Sequence, residues 1–159
     1  MIERYSRKEL VDIWRDLNKY NLWLKIEIAA AEAMEKLNVI PKGVSKKVKS
    51  KAKIDIKRIK KIEDNVKHDV IAFLTSITEK VGEEAKFLHK GLTSSDILDT
   101  CFNLQLKQSG QILLKDFDNL LTSIKKQAIK HKHTLCIGRS HRSEEHSLNS
   151  SHRCISYAV

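Results

Sequence analysis

The stretch His89-Lys90-Gly91-Leu92-Thr93-Ser94-Ser95-Asp96 decides how the rest of the chain is read. Ile97, Leu98, Cys101, Phe102 and Leu104 follow it at helical spacing, so Thr93 to Asp96 is expected to start a helix. Thr93 and Asp96 stand as in a capping box, with Asp where Glu or Gln is usual. The first N–H groups of such a helix have no partner within it and carry the positive end of its dipole. Hydroxyls beside those groups make a seat for a carboxylate or phosphate. Most Ser/Thr-rich helix starts nevertheless only cap a helix. Gly91 favours the ligand reading, because a glycine lets a ligand approach the backbone, and His89 and Lys90 add a titratable group and a cation.

Composition points the same way around this helix. The 159 residues hold one proline and five glycines, few breakers for a chain rich in Leu, Ile, Ala, Lys and Glu, and an all-α fold is expected. No apolar run reaches the length of a membrane span, and Met1 to Tyr5 is no signal-peptide core. Cys101, Cys136 and Cys154 have no Cys-x-x-Cys spacing and read as reduced thiols of a cytoplasmic protein.

The formal charge of +10 is local. Lys42 to Lys61 carries ten basic residues against one acid, Asp55, while the rest of the chain is nearly balanced. The segment has no aromatic residue on which a base could stack, and Val44, Val48, Ile54, Ile56, Ile59 and Ile62 punctuate it. Two short helices with one solvated basic face, divided near Lys53 to Asp55, are expected, with only weak attraction to polyanions. A basic helical module for nucleic acid is the alternative from another functional class, and a tight, sequence-selective complex would establish it.

Upstream, Ser6-Arg7-Lys8-Glu9 has the form of a capping box, and Leu10, Ile13, Trp14 and Leu17 share one face of the helix it opens. A short arm ending in Arg4 and Tyr5 precedes it. A second helix is expected from about Leu22 to Leu37, its buried stripe being Leu22, Ile26, Ala29, Ala33 and Leu37, with Pro41 beyond its end. Lys67-His68-Asp69 leads into a helix through Phe73, Leu74 and Ile77 that stops at Gly82. Downstream of Asp96 only Gly110 interrupts the helical pattern. Leu113, Phe117, Leu120, Ile124 and Ala128 continue it with the spacing of a bundle seam as far as about His133. The organisation expected is a small helical domain over 1–110, then the start of a long bundle helix and a Gly138-Arg139-Ser140-His141 segment over 111–141. Residues 142–159, with five serines and no period, read as a disordered tail.

Arg4-Tyr5, Lys67-His68-Asp69, His89-Lys90, Thr93-Ser94 and Arg139-Ser140-His141 each place cations, hydroxyls or a histidine at a helix end. Together they suit a substrate with several negative charges and one proton to be moved near neutral pH. No His or Cys pair has metal-ligand spacing, so no metal is expected, and no Gly-x-Ser-x-Gly elbow is present.

Met1-Ile2-Glu3-Arg4-Tyr5-Ser6-Arg7, Lys67-His68-Asp69-Val70, Gly91-Leu92-Thr93-Ser94-Ser95-Asp96 and Gly138-Arg139-Ser140-His141, in that order, resemble the N-terminal part of the adenylosuccinate lyase family of the fumarase/aspartase superfamily. The resemblance covers about residues 1–141. It implies a cofactor-free β-elimination: fumarate leaves adenylosuccinate to give AMP, and leaves the analogous succinyl-aminoimidazole-carboxamide ribotide of purine synthesis. It further implies that Arg4 and Tyr5 contact the nucleotide end and that Lys67, His68 and Asp69 line the site. Thr93 and Ser94 would hold a succinyl carboxylate, with His89 in support, while His141 serves as general acid and His68 is catalytic with it. The family's homotetramer draws each site from three subunits. After His141 the resemblance stops, at Arg142-Ser143-Glu144, short of the family's serine loop and C-terminal domain. A shifted reading frame or a shortened gene is the expected cause, and the chain alone is expected to be inactive. Another lyase of the superfamily is the nearer alternative, and competition by AMP separates the two.

Overall fold

The computed structural model describes residues 3–135. Every regular element among them is helical: a 3-10 turn at Glu3–Tyr5, α1 (Lys8–Trp14), α2 (Asp16–Lys36), α3 (Val44–Lys51), α4 (Ile56–Val66), α5 (Asp69–Val81), a second 3-10 turn at Glu83–Phe87, and α6 (Ser94–His131). No helix is long and apolar enough to cross a membrane. The chain divides into two compact units, one through Asp116 and one from Phe117.

The core of the first unit is an aromatic cluster. Tyr20 and Trp23 of α2 meet Phe73 of α5: Tyr20 stacks on Phe73 at 6.0 Å between ring centroids, and Trp23 stands edge-on to both. Val48, Ile59, Ile77 and Ile97 close around them, all buried. The geometry is that preferred by aromatic quadrupoles, and it ties α5 to α2.

The lysine-rich segment forms two helices as expected. Asp55 caps the second by accepting the Arg58 N–H at 3.0 Å. Val44, Val48, Ile59 and Ile62 face inward, and the lysines stay exposed. Lys47 pairs with Glu84, Arg58 with Glu79 and Lys60 with Asp16.

Three expectations about the first two helices fail. The first helix starts at Lys8 with Arg7 as its cap and no side-chain capping bond, and the Glu9 carboxylate is taken by the Arg7 guanidinium at 3.0 Å. The chain breaks at Arg15 (ψ 150°), so Leu17 belongs to α2, which begins at Asp16 and not near Leu22. The break is stabilised by amides from elsewhere: Asn18 Nδ2 and Gln105 Nε2 each donate to the Ile13 carbonyl at 2.8 Å. Finally, the buried face of α2 is Tyr20, Leu22, Trp23, Glu27 and Ala31, while Ala29, Ala33 and Leu37 are exposed. Large aromatic rings outweigh alanines in the area they remove from water, so they set which face turns inward.

Helix α6 is continuous through Gly110. Its first turns bury Ile97, Cys101 and Gln105 in the first unit, and burial raises the Cys101 thiol pKa. Along the same helix Leu106, Leu113, Phe117, Leu120 and Ile124 are 45–65% exposed, an apolar row among the described residues.

Candidate functional site

Two helix N-termini meet in the first unit. His68 is the N-cap of α5, its Nδ1 accepting the Ile71 N–H at 3.4 Å. With Nδ1 as acceptor, the neutral ring carries its hydrogen on Nε2. That nitrogen lies 3.5 Å from Oγ of Ser94, the first residue of α6, and the hydroxyl accepts. Residues 26 positions apart thus bring the positive ends of two helices together.

Lys67 sits just ahead, at the C-cap of α4, with φ of +54° and its side chain exposed. This left-handed backbone ends α4 and turns the chain so that His68 can start α5. Asp69 holds its carboxylate on the Val70 N–H at 2.7 Å, 3.5 Å from His68 Nδ1. The Ile71 N–H and the Asp69 carboxylate therefore compete for one ring nitrogen. The neutral ring serves the helix cap, and a protonated ring would serve the ion pair.

At the α6 start, half of the expected capping box forms. Asp96 Oδ2 accepts the Thr93 main-chain N–H at 2.7 Å and the Thr93 hydroxyl at 3.1 Å. These bonds, the main-chain one foremost, hold the Asp96 carboxyl below its ordinary range. Thr93 is exposed and Ser94 half-buried, so the hydroxyl turned toward His68 belongs to Ser94, while that of Thr93 is engaged by Asp96.

His89 is half-buried and left-handed (φ +59°), and it is held by a residue that no motif singles out. Glu27 of α2 accepts the His89 main-chain N–H at 2.8 Å and lies 2.7 Å from His89 Nδ1. The signal for Glu27 was its position, four residues after Trp23 and four before Ala31 on the buried face. Lys90 reaches the Val39 carbonyl at 3.4 Å.

Arg4 and Tyr5 lie together on the first 3-10 turn, the guanidinium 4.6 Å from the ring centroid, with Tyr5 exposed. Among the described residues, no hydrogen bond, ion pair or ring contact joins either of them to His68 or Ser94. His141 lies outside the described residues, with the rest of its Gly138-Arg139-Ser140 segment. No group of three or more His, Cys, Asp or Glu among the described residues could hold a metal ion. The arrangement suits an anion seated on helix N–H groups and hydroxyls beside an imidazole N–H.

Adenylosuccinate lyase of Aquifex aeolicus (strain VF5) is 46% identical over 144 residues, and that of Bacillus subtilis (strain 168) is 48% identical over 141. Each match takes in 89% of this chain but 33% of the relative, so the chain spans about a third of the length of the curated relatives it matches. Among solved structures, a fumarate lyase from Mesorhizobium sp. BNC1 superposes with a TM-score of 0.78 over 87% of this chain and 34% of its own, at 20% identity, a likeness of fold. The family model described as lyase matches residues 3–159, running past His141, where the motif resemblance stops. The chain belongs to the lyase family.

Proposed function

We propose that this chain supplies the N-terminal helical part of an adenylosuccinate lyase, which eliminates fumarate from adenylosuccinate to give AMP and from succinyl-aminoimidazole-carboxamide ribotide. The observation that carries the reading is the approach of His68 Nε2 to Ser94 Oγ at 3.5 Å across two helix N-termini. The matches to adenylosuccinate lyases at 46–48% identity support it independently.

In this reading Ser94 and Thr93, with the first N–H groups of α6, bind a succinyl carboxylate. The His68 Nε2–H stands beside it, able to donate to the carboxylate or to a substrate nitrogen. A carboxylate here meets donors that need no reorganisation, which favours the growth of negative charge on it as the proton leaves the adjacent succinyl carbon, before the electron pair passes to the departing nitrogen. Lys67 and Asp69 line the His68 side. Arg4 and Tyr5 are assigned to the nucleotide end and His141 to protonation of the departing nitrogen. The enzyme is taken to be cytoplasmic and tetrameric, sites being completed between copies, as the exposed apolar row on α6 suggests. The 159-residue chain by itself is expected to turn over no substrate. Loss of adenylosuccinate absorbance measures this directly.

The experiment that tests the assignment is ligand titration of the chain followed by amide NMR. AMP and fumarate are expected to perturb the His68, Thr93 and Ser94 amides, and argininosuccinate to leave them in place. An equal response to argininosuccinate would move the chain to another lyase of the superfamily.

A further inference from the structure

Helix α2 buries a carboxylate that the proposed chemistry does not use. Glu27 is 1% exposed, on the face that also buries Trp23 and Ala31. A buried carboxylate persists where its oxygens are satisfied, because desolvation otherwise opposes it. Both oxygens of Glu27 go to a single residue 62 positions away: Oε2 to the His89 N–H and Oε1 to its Nδ1, at 2.8 and 2.7 Å.

This double attachment has two consequences. A left-handed backbone at a non-glycine residue is held only where the surroundings fix it, and a rigid carboxylate bonded to both main chain and ring at His89 does so. An ionised carboxylate accepts only, so Nδ1 of His89 carries a hydrogen, and in the neutral ring Nε2 keeps the lone pair. His68 has the opposite arrangement, its Nδ1 accepting the Ile71 N–H. The two histidines of this region are therefore set in opposite tautomers by different partners.

From His89 the chain needs four residues to reach Thr93. Leu92 N–H closes a turn on the His89 carbonyl at 3.3 Å, Gly91 takes φ of +73°, and Asp96 gathers Thr93. The anchor of the turn is thus Glu27, at its far end.

We propose that Glu27 is a positioning residue for the α6 helix start: its two bonds set the left-handed turn and the Nδ1–H tautomer of His89, and thereby the register in which Ser94 meets His68. This rests on the carboxylate-site reading only for its effect on ligand. The ring position left for a ligand is Nε2, an acceptor when the ring is neutral and a donor to a carboxylate when it is protonated.

The test uses the full chain labelled with 15N-histidine, with Glu27→Gln and Glu27→Asp as variants and fumarate as the probe. In the wild type, His89 is expected to show a hydrogen-bearing Nδ1 and a lone-pair Nε2, the reverse of His68. Glu27→Gln is expected to abolish that pattern, shift the Gly91 to Ser94 amides and weaken fumarate about tenfold, the low end of the loss seen when the hydrogen-bond partner of a metal-binding histidine is removed. Glu27→Asp, which keeps the charge, is expected to restore the tautomer and part of the affinity. A His89 that carries its hydrogen on Nε2 in the wild type overturns the proposal, even if Glu27→Gln fails to fold. So does a folded Glu27→Gln with unchanged turn amides. If the tautomer and turn respond as stated but fumarate leaves the wild-type Ser94 amide untouched, the carboxylate-site reading fails and the role of Glu27 stands.

Discussion

Raising the pH isolates one buried group at the heart of the fold. Tyr20 is 2% exposed, stacked on Phe73 and edge-on to Trp23. Burial, then the carboxylates of Asp16, Glu63 and Asp69, push its phenol from the ordinary 10.0 up to about 12. The folded state therefore keeps Tyr20 neutral where the unfolded chain has already released its proton. The sign is that of a raised acid: the stabilisation is complete below about pH 10 and is lost as pH rises through the folded value near 12. Two units correspond to about 2–3 kcal/mol in all, of which roughly 1.4 kcal/mol is gone by about pH 11. For a domain stable by about 5–15 kcal/mol, that is a measurable fraction. Tyr20→Phe keeps both ring contacts and removes the titration. Urea midpoints of wild type and Tyr20→Phe, taken between about pH 8 and pH 11 on the way to the phenol's own range, should diverge by that amount, since the lysine titrations are common to both. Phenolate absorbance supplies a second readout: the component missing from the variant should titrate near 12. Equal alkaline loss in the two proteins, or a missing component that titrates near 10, would refute the reasoning.

Phe73→Ala should cost about 3–5 kcal/mol by emptying the ring cluster between α2 and α5, read as a fall in the urea midpoint. Ser94→Ala should leave the folded helix content unchanged and weaken fumarate, and circular dichroism with ligand titration separates the two effects. Asp96→Asn should loosen the α6 start. In the wild type the contribution of Asp96 is present above the ordinary carboxylate range and lost as pH falls through its lowered value, so protection of the Thr93 amide from exchange, relative to its intrinsic rate, should fall in acid for the wild type and at every pH for the variant. Phe117→Glu with Leu120→Glu, on the exposed row of α6, should lower the mass in sedimentation if that row joins copies of the chain, and an unchanged mass would argue against it.

Much of this molecule is local and so was legible in order of residues. Asp55 caps α4, Gly82 ends α5 and Ser94 opens α6 because each does its work within a few bonds of its own position. The basic charge of Lys42 to Lys61 could be assigned to a solvated face for the same reason, from the valines and isoleucines spaced between the lysines. The candidate site was half legible: motif order named His68, Thr93, Ser94 and His89, and hydroxyls at a helix start imply an anion seat. What needed the tertiary structure was every effect with a distant partner. The break at Arg15 depends on Gln105 reaching the Ile13 carbonyl. The inward face of α2 depends on Phe73 stacking against Tyr20, which turns Ala29 and Ala33 outward. The role of Glu27 depends on His89, 62 positions along the chain, lying beside it. Helix ends such as those at Asp55, Gly82 and Ser94 are written in the chain because backbone hydrogen bonds span three or four residues. The pairing of His68 with Ser94, and of Glu27 with His89, is decided only when packing of the aromatic core brings separate helices to one place.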